Sequence, residues 1–398
     1  MRRAMTRRRM IGLAGCLTIG IVVLVLTLGG GDKSHAVPEG KTRTATTLGQ
    51  GAATAAAPAT TSAPASTVST GDRRLSTTEA RAAARLFLVG LGGTQAPPEV
   101  LQSFAAHEWG GVVLEPGNGE SPQQVADLIG AIQGTARSAG HLAPLVAASQ
   151  LGGDRDAVPI GSRPQAAAAN PAEALAAARG AATALLPLGI RMVLAPDADI
   201  AFAGGPWEGL AFSDDPATAT AMVTAAVTGW KLGKVAPVPG HFPGEGAASG
   251  DPALEAATVG LSLDELKARD LQPFAAIAKQ VPAIQLSSAT YVAFDGVTPA
   301  TLLPEVVALL RGELGFDGVI VSGDLAAASL SGGESIAQLA VRALQAGVDL
   351  LWIPGDVAAQ DAAWHAVVRA LHNGTIPASR VADALARVSK LRTDYGVQ

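Results

Sequence analysis

Cysteine is nearly absent, one residue in 398. That excludes a disulfide framework and any zinc site built on thiolates. His107, His141, His365 and His372 are scattered without metal-ligand spacing, so no metal site is expected; no cofactor is expected either. Charged residues make up only 16% and aromatic residues 4%, while 48% are hydrophobic, too apolar a composition for a disordered chain. No glycine-rich loop opens a helix in the manner of a dinucleotide or P-loop site, which leaves nucleotide binding unsupported. The net charge of -5 is unevenly spread. Residues 1–36 hold six basic residues and one acidic one, leaving 23 basic against 33 acidic beyond them, about -10 by subtraction. So acidic a body is a poor electrostatic match for nucleic acid.

What is present begins with Ile11 to Gly30, twenty uncharged residues preceded by five arginines. A helix of that length spans about 30 Å, the thickness of a bilayer core, and the arginines would stay on the cytoplasmic side. Two processing alternatives stand beside a retained anchor. Thr6-Arg7-Arg8-Arg9-Met10-Ile11 resembles a twin-arginine export signal with a small-residue cleavage site at Ser34-His35-Ala36. Leu13-Ala14-Gly15-Cys16 looks like a lipobox, although only the five residues Met10 to Ala14 lie between Arg9 and Gly15, too few for an apolar region. From Lys41 to Gly71, 26 of 31 residues are Ala, Thr, Ser, Pro or Gly. Such a stretch buries too little apolar surface to offset its ordering entropy and reads as a flexible tether. The expected organisation is an export or anchor segment over 1–30, a linker over 31–75 and a folded domain over 76–398.

Past Ser76, eight short apolar runs recur: Leu86–Leu91, Gly111–Leu114, Pro144–Ala148, Arg191–Ala195, Val235–Val238, Ala283–Leu286, Gly318–Val321 and Asp349–Ile353. They are continuous rather than alternating, as parallel strands covered on both faces are. Helical segments lie between them. Ser121-Pro122-Gln123-Gln124 has an N-cap, a proline at the first helical position and a capping-box Gln, and Ser262 to Glu265 repeats the box. Eight strands alternating with helices predict an α/β fold, a (β/α)8 TIM-like barrel; a doubly wound open sheet is the structural alternative.

In such a barrel, function belongs to the loops after the strands. The third run is followed by Ser149-Gln150-Leu151-Gly152-Gly153-Asp154 and the fourth by Pro196-Asp197-Ala198-Asp199. Pro239-Gly240-His241-Phe242-Pro243-Gly244-Glu245-Gly246 follows the fifth, and Ser322-Gly323-Asp324 the seventh. Several carboxylates and one histidine thus converge on one rim. Glycoside hydrolysis needs a carboxyl pair, one to protonate the leaving oxygen and one to attack or to activate water. Any one of these acids also reads as a helix N-cap or a solvated turn residue.

His241-Phe242-Pro243-Gly244 with Gly246, and the segment from Leu310 through Phe316-Asp317-Gly318 to Ser322, resemble the corresponding motifs of glycoside hydrolase family 3. Ala195-Pro196 with Asp199, Phe212 with Asp215-Pro216, Asp270 to Phe274, Pro299-Ala300 and Ala346 to Asp349 extend the likeness from about residue 80 to the C-terminus. In order and spacing the chain is most similar to the bacterial β-N-acetylhexosaminidase branch. The resemblance implies a TIM barrel acting on N-acetylglucosaminides, with a nucleophilic Asp directly after the Ser matching Ser322. Here that position is Gly323, and Asp324 follows. The family's substrate-binding Lys is Gly240, its strand-six His is Ser288, and the Arg two residues before Phe212 is Leu210. An Asp-Ser-His-like stretch that carries the acid/base is matched by Asp251-Pro252-Ala253, without a His. Ser149 to Asp154 lacks a sugar-binding Asp and an Arg.

The losses remove charged and ring-nitrogen groups while keeping the residues that shape the barrel. The expectation is therefore a membrane-tethered, extracytoplasmic, monomeric barrel that binds a peptidoglycan-type glycan with impaired catalysis, or a secreted one if cleaved near Ala36. One alternative is a working glycosidase in which Asp324 and Glu245 substitute for the missing groups; another is an interaction scaffold without a sugar site. Gln150, Asp199, His241 and Trp207 are the candidate sugar contacts. His241 also reads as a loop-ordering residue, Asp199 as a structural one, and Trp207 as loop packing.

Overall fold

The computed structural model describes residues 77–397. The expected anchor and linker lie outside the described residues; within these, no helix is long and apolar enough to cross a membrane. The eight barrel strands, first to eighth, are Phe87–Val89, Gly111–Leu114, Leu145–Ser149, Met192–Leu194, Ala236–Pro237, Ala283–Gln285, Val319–Asp324 and Leu350–Ile353. All the pairings are parallel, and each strand except the sixth pairs with its predecessor, with the first pairing to the eighth through Phe87 and Leu351. The seam between the fifth and sixth is bridged just past the strand ends. Gln285 N donates to Pro239 O at 3.0 Å, Phe242 N to Gln285 O at 2.9 Å and Ser287 N to Phe242 O at 2.8 Å. This circular order is that of a TIM-like barrel rather than an open doubly wound sheet.

The continuous apolar character of the strands follows from two cores. Leu88, Val113, Leu145, Ala147, Met192, Leu194, Ala283, Val319, Val321 and Leu350 pack in one cluster inside the barrel. Their alternate neighbours Phe87, Val89, Val112, Leu114, Val146, Ala148, Val193, Ile284, Ile320 and Leu351 pack outward against the helices. Period-two alternation persists, but both faces are dry. The C-terminal helix Ala378–Asp394 adds Val388 and Leu391 to the inner cluster, which places it across the end of the barrel opposite the strand C-termini.

Local signals held with one difference. Ser121 caps helix Pro122–Ser138 by accepting from Gln124 N, but Gln124 Oε1 accepts from Glu120 N, one residue earlier than a capping box requires. The box at Ser262 and Glu265 is complete. A larger departure concerns the seventh strand, which runs through Ser322, Gly323 and Asp324 instead of ending at Val321. Ser322 Oγ accepts from Trp352 N at 2.8 Å, and Gly323 N donates to Thr301 Oγ1 at 3.1 Å, so tertiary partners hold these polar residues in the sheet.

Candidate active site

The strand C-termini open on a cavity of about 390 Å³ lined by Glu115, Arg155, Trp207, His241, Glu245 and Asp324, among others. Its deep wall is built by the loops after the fourth and fifth strands. Asp199 accepts twice: from Glu245 N on Oδ1 at 2.6 Å, and from His241 Nδ1 on Oδ2 at 2.8 Å. Glu245 Oε2 lies 3.5 Å from the same imidazole nitrogen, while its Oε1 accepts from Ser288 N at 3.0 Å. Tyr291 Oη donates to Gly244 O at 3.0 Å and fixes the loop from beneath. The loops also pair Thr258–Val259 with Thr290–Tyr291 in a small parallel sheet outside the barrel.

Burial opposes a charge on His241, but Glu245, Asp199 and Asp197 outweigh it and raise its pKa to about 10, so the ring is cationic at neutral pH. Desolvation, reinforced by Asp199, pushes Asp197 well above the usual carboxylate range. Glu245 is also raised by burial, with His241 pulling the other way. Asp270 reaches about 7 for the same reason, despite Arg269 Nε at 3.1 Å from its Oδ2.

Trp207 stacks on His241 with ring centroids 5.1 Å apart, and the Arg155 guanidinium lies 5.2 Å from the indole centroid. Its aromatic surface is therefore already engaged within the cavity wall. Gln150 is turned elsewhere: its amide donates to Val158 O at 3.1 Å and accepts from Val158 N at 3.3 Å, beside a separate apolar cavity of about 220 Å³. The four residues expected to contact sugar thus divide, with Asp199, His241 and Trp207 brought together and Gln150 apart from them.

Asp324 Oδ1 accepts from Ala326 N at 2.7 Å and Ala327 N at 3.1 Å, capping helix Leu325–Gly332 while the residue lines the cavity. Burial raises its pKa, and those two N–H groups oppose the rise. Across from it is Glu115, at the end of the second strand. Burial first and the Asp324 charge second push Glu115 up to about 7. Glu115 was not among the residues singled out from the sequence, although its place directly after the run Gly111–Leu114 is the signal that applied to the other strands.

Gly323 has no spare room. A Cβ there would collide with Ser288 Oγ and sit 3.0 Å from Leu286 O and Ser288 N. At Gly240 a Cβ would lie 3.2 Å from Gln285 Oε1.

Residues 84–391 match the profile described as the glycosyl hydrolase family 3 N-terminal domain. The chain belongs to glycoside hydrolase family 3. It is 32% identical over 283 residues to a β-hexosaminidase of Stenotrophomonas maltophilia (strain K279a), covering 67% of this chain and 83% of that one. Among solved structures, a family 3 β-N-acetylglucosaminidase from Paenibacillus sp. matches with TM-score 0.75 and 29% identity, over 80% of this chain and 62% of that protein. A β-N-acetylhexosaminidase from Beutenbergia cavernae matches with TM-score 0.71 and 27% identity, over 79% of this chain and 98% of that one. Gly323, where the resemblance places the family's nucleophile, is packed so closely that its neighbours occupy the space a side chain there would need.

Proposed function

We propose that the barrel mouth binds an N-acetylglucosamine-containing glycan and that hydrolysis through the family's covalent intermediate is lost or severely reduced. The observation that carries this reading is Gly323 packed against Ser288 and Leu286. Glycine offers no atom to form a glycosyl ester, and removing a nucleophile costs many powers of ten in rate. The sugar class comes from relatives bearing the names β-hexosaminidase and β-N-acetylglucosaminidase. The mouth presents polar groups for recognition, with Arg155, Glu115, His241 and Asp324 on its lining. Residues 1–75 would export the domain and tether it outside the membrane, an arrangement that membrane fractionation and protease accessibility of intact cells check.

The experiment pairs calorimetric titration of N-acetylglucosamine oligomers with turnover of a chromogenic N-acetylglucosaminide by the purified protein. Saturable binding with turnover near background is the expected outcome. Release of sugar at an ordinary enzymatic rate would end the impaired reading, and absence of both binding and turnover would leave an interaction scaffold.

One observation favours a working glycosidase instead. Glu115 holds a proton to about pH 7 opposite Asp324, as a general acid must. In that reading Glu115 takes the donor role expected of Glu245, which is 3% exposed and committed to Ser288 and His241.

A further inference from the structure

The deep wall of the mouth gathers four buried carboxyl groups. Asp197, Asp199, Glu245 and Asp270 are each no more than 3% exposed, and the cations paired with them are His241 and Arg269. Two of the four are arranged alike. Asp199 has Oδ1 fixed by the Glu245 backbone N–H and Oδ2 directed at His241 Nδ1. Asp197 has Oδ1 fixed by the Asp199 backbone N–H at 2.8 Å, while its Oδ2 is buried without a hydrogen-bond partner. In each carboxylate one oxygen is anchored to the main chain and the other is left for something else. A buried carboxyl oxygen that accepts no hydrogen bond is costly as an anion, and a proton or a cation relieves the cost.

One ligand atom from each of Asp197, Asp199 and His241 lies within 4.8 Å of the other two. A tetrahedral zinc with Zn–O and Zn–N bonds of about 2.0–2.2 Å sets its ligand atoms about 3.3–3.6 Å apart, so the wider pairs must close by up to about 1.5 Å for the set to bind. We propose that Asp197, Asp199 and His241 form a binding site for a divalent transition-metal ion of the zinc class, with its remaining coordination position open to the barrel mouth. One imidazole with two carboxylates suits zinc better than magnesium or calcium, which take all-oxygen shells. Outer contacts already orient the ligands: Gln165 Oε1 accepts from Asp197 N at 3.1 Å, Glu245 N holds Asp199, and Trp207 stacks on the imidazole. The dication would take the place of the imidazole–carboxylate hydrogen bond. Sequence spacing gives no sign of such a site, because His241 joins Asp199 from 42 residues away.

The test is titration of the purified, chelator-treated protein with zinc chloride in the calorimeter, with cobalt(II) as a spectroscopic probe. The expected result is one equivalent per chain, with the visible absorption of a low-coordinate cobalt site. Asp197→Asn preserves size and the Oδ1 acceptor, so it should fold, as circular dichroism would verify, and weaken affinity by at least about tenfold. Failure to bind one equivalent at millimolar zinc overturns the site. Equal affinity and an unchanged cobalt spectrum in a folded Asp197→Asn protein do so as well, by assigning the metal elsewhere. No sugar is present, so a mouth that recognises no glycan leaves the result standing.

Discussion

Glu115 shows how an ordinary side chain acquires chemistry from its surroundings. Its pKa is lifted from 4.5 to about 7 by burial and by Asp324, so the folded protein keeps the proton over a pH range in which the unfolded chain has released it. Stability contributed at this position is therefore intact below about pH 4.5 and falls as pH rises toward 7. Glu115→Gln removes the ionisation and keeps the shape. We expect the variant to match the parent near pH 4.5 and to exceed it at pH 8 by about 1–3 kcal/mol, a range discounted for partial exposure. Urea midpoints at the two pH values measure this, and a variant that is no more stable at pH 8 refutes the raised pKa. The same variant examines the glycosidase reading, under which it also abolishes turnover. Nothing in residue type distinguished Glu115 from a solvated turn acid; its proximity to Asp324 comes from strands two and seven facing across the barrel.

At the scale of an element, Asp324 joins the seventh strand to the helix that follows. Its carboxylate accepts the first free N–H groups of Leu325–Gly332, a structural duty that was open to any loop-start acid. Asp324→Ala should cost about 1 kcal/mol through loss of the cap, whereas Asp324→Asn retains an acceptor oxygen and should cost only a few tenths. Thermal unfolding distinguishes the two. Equal destabilisation by Ala and Asn would mean that the charge, not the cap, matters. The apolar runs marked all eight strands because both faces are buried, yet they misplaced the end of the seventh. Ser322 and Gly323 carry no strand signal of their own, and their partners Trp352 and Thr301 lie far away in sequence.

On the scale of the whole molecule, one buried anion clamps the closed barrel. Asp349 is fully buried at the entry to the eighth strand, where Oδ2 accepts from Ile320 N at 3.0 Å and from Arg311 at 2.6 Å. Arg380, and Arg387 at 3.4 Å, reach Oδ1 from the C-terminal helix. Strands seven and eight and the helix that covers the barrel floor are thereby tied to one carboxylate. Asp349→Ala leaves three guanidinium groups converging on an empty site, and we expect a loss of about 3–5 kcal/mol. Chemical denaturation checks it, and a loss below about 1 kcal/mol would show that water or rearranged arginines replace the clamp.

The order of strands, the barrel and the family were written in the chain, because continuous apolar runs and local motifs depend on neighbours in sequence. Gly323, at the position where the resemblance expects a nucleophile, was equally visible there. Tertiary structure alone decided that Ser288 fills the space beside Gly323, that Glu115 and Asp324 line one cavity, and that Asp197 keeps an unpartnered oxygen beside His241. Those facts depend on side chains brought together by closure of the sheet, and desolvation and charge coupling act on distance in space rather than along the chain.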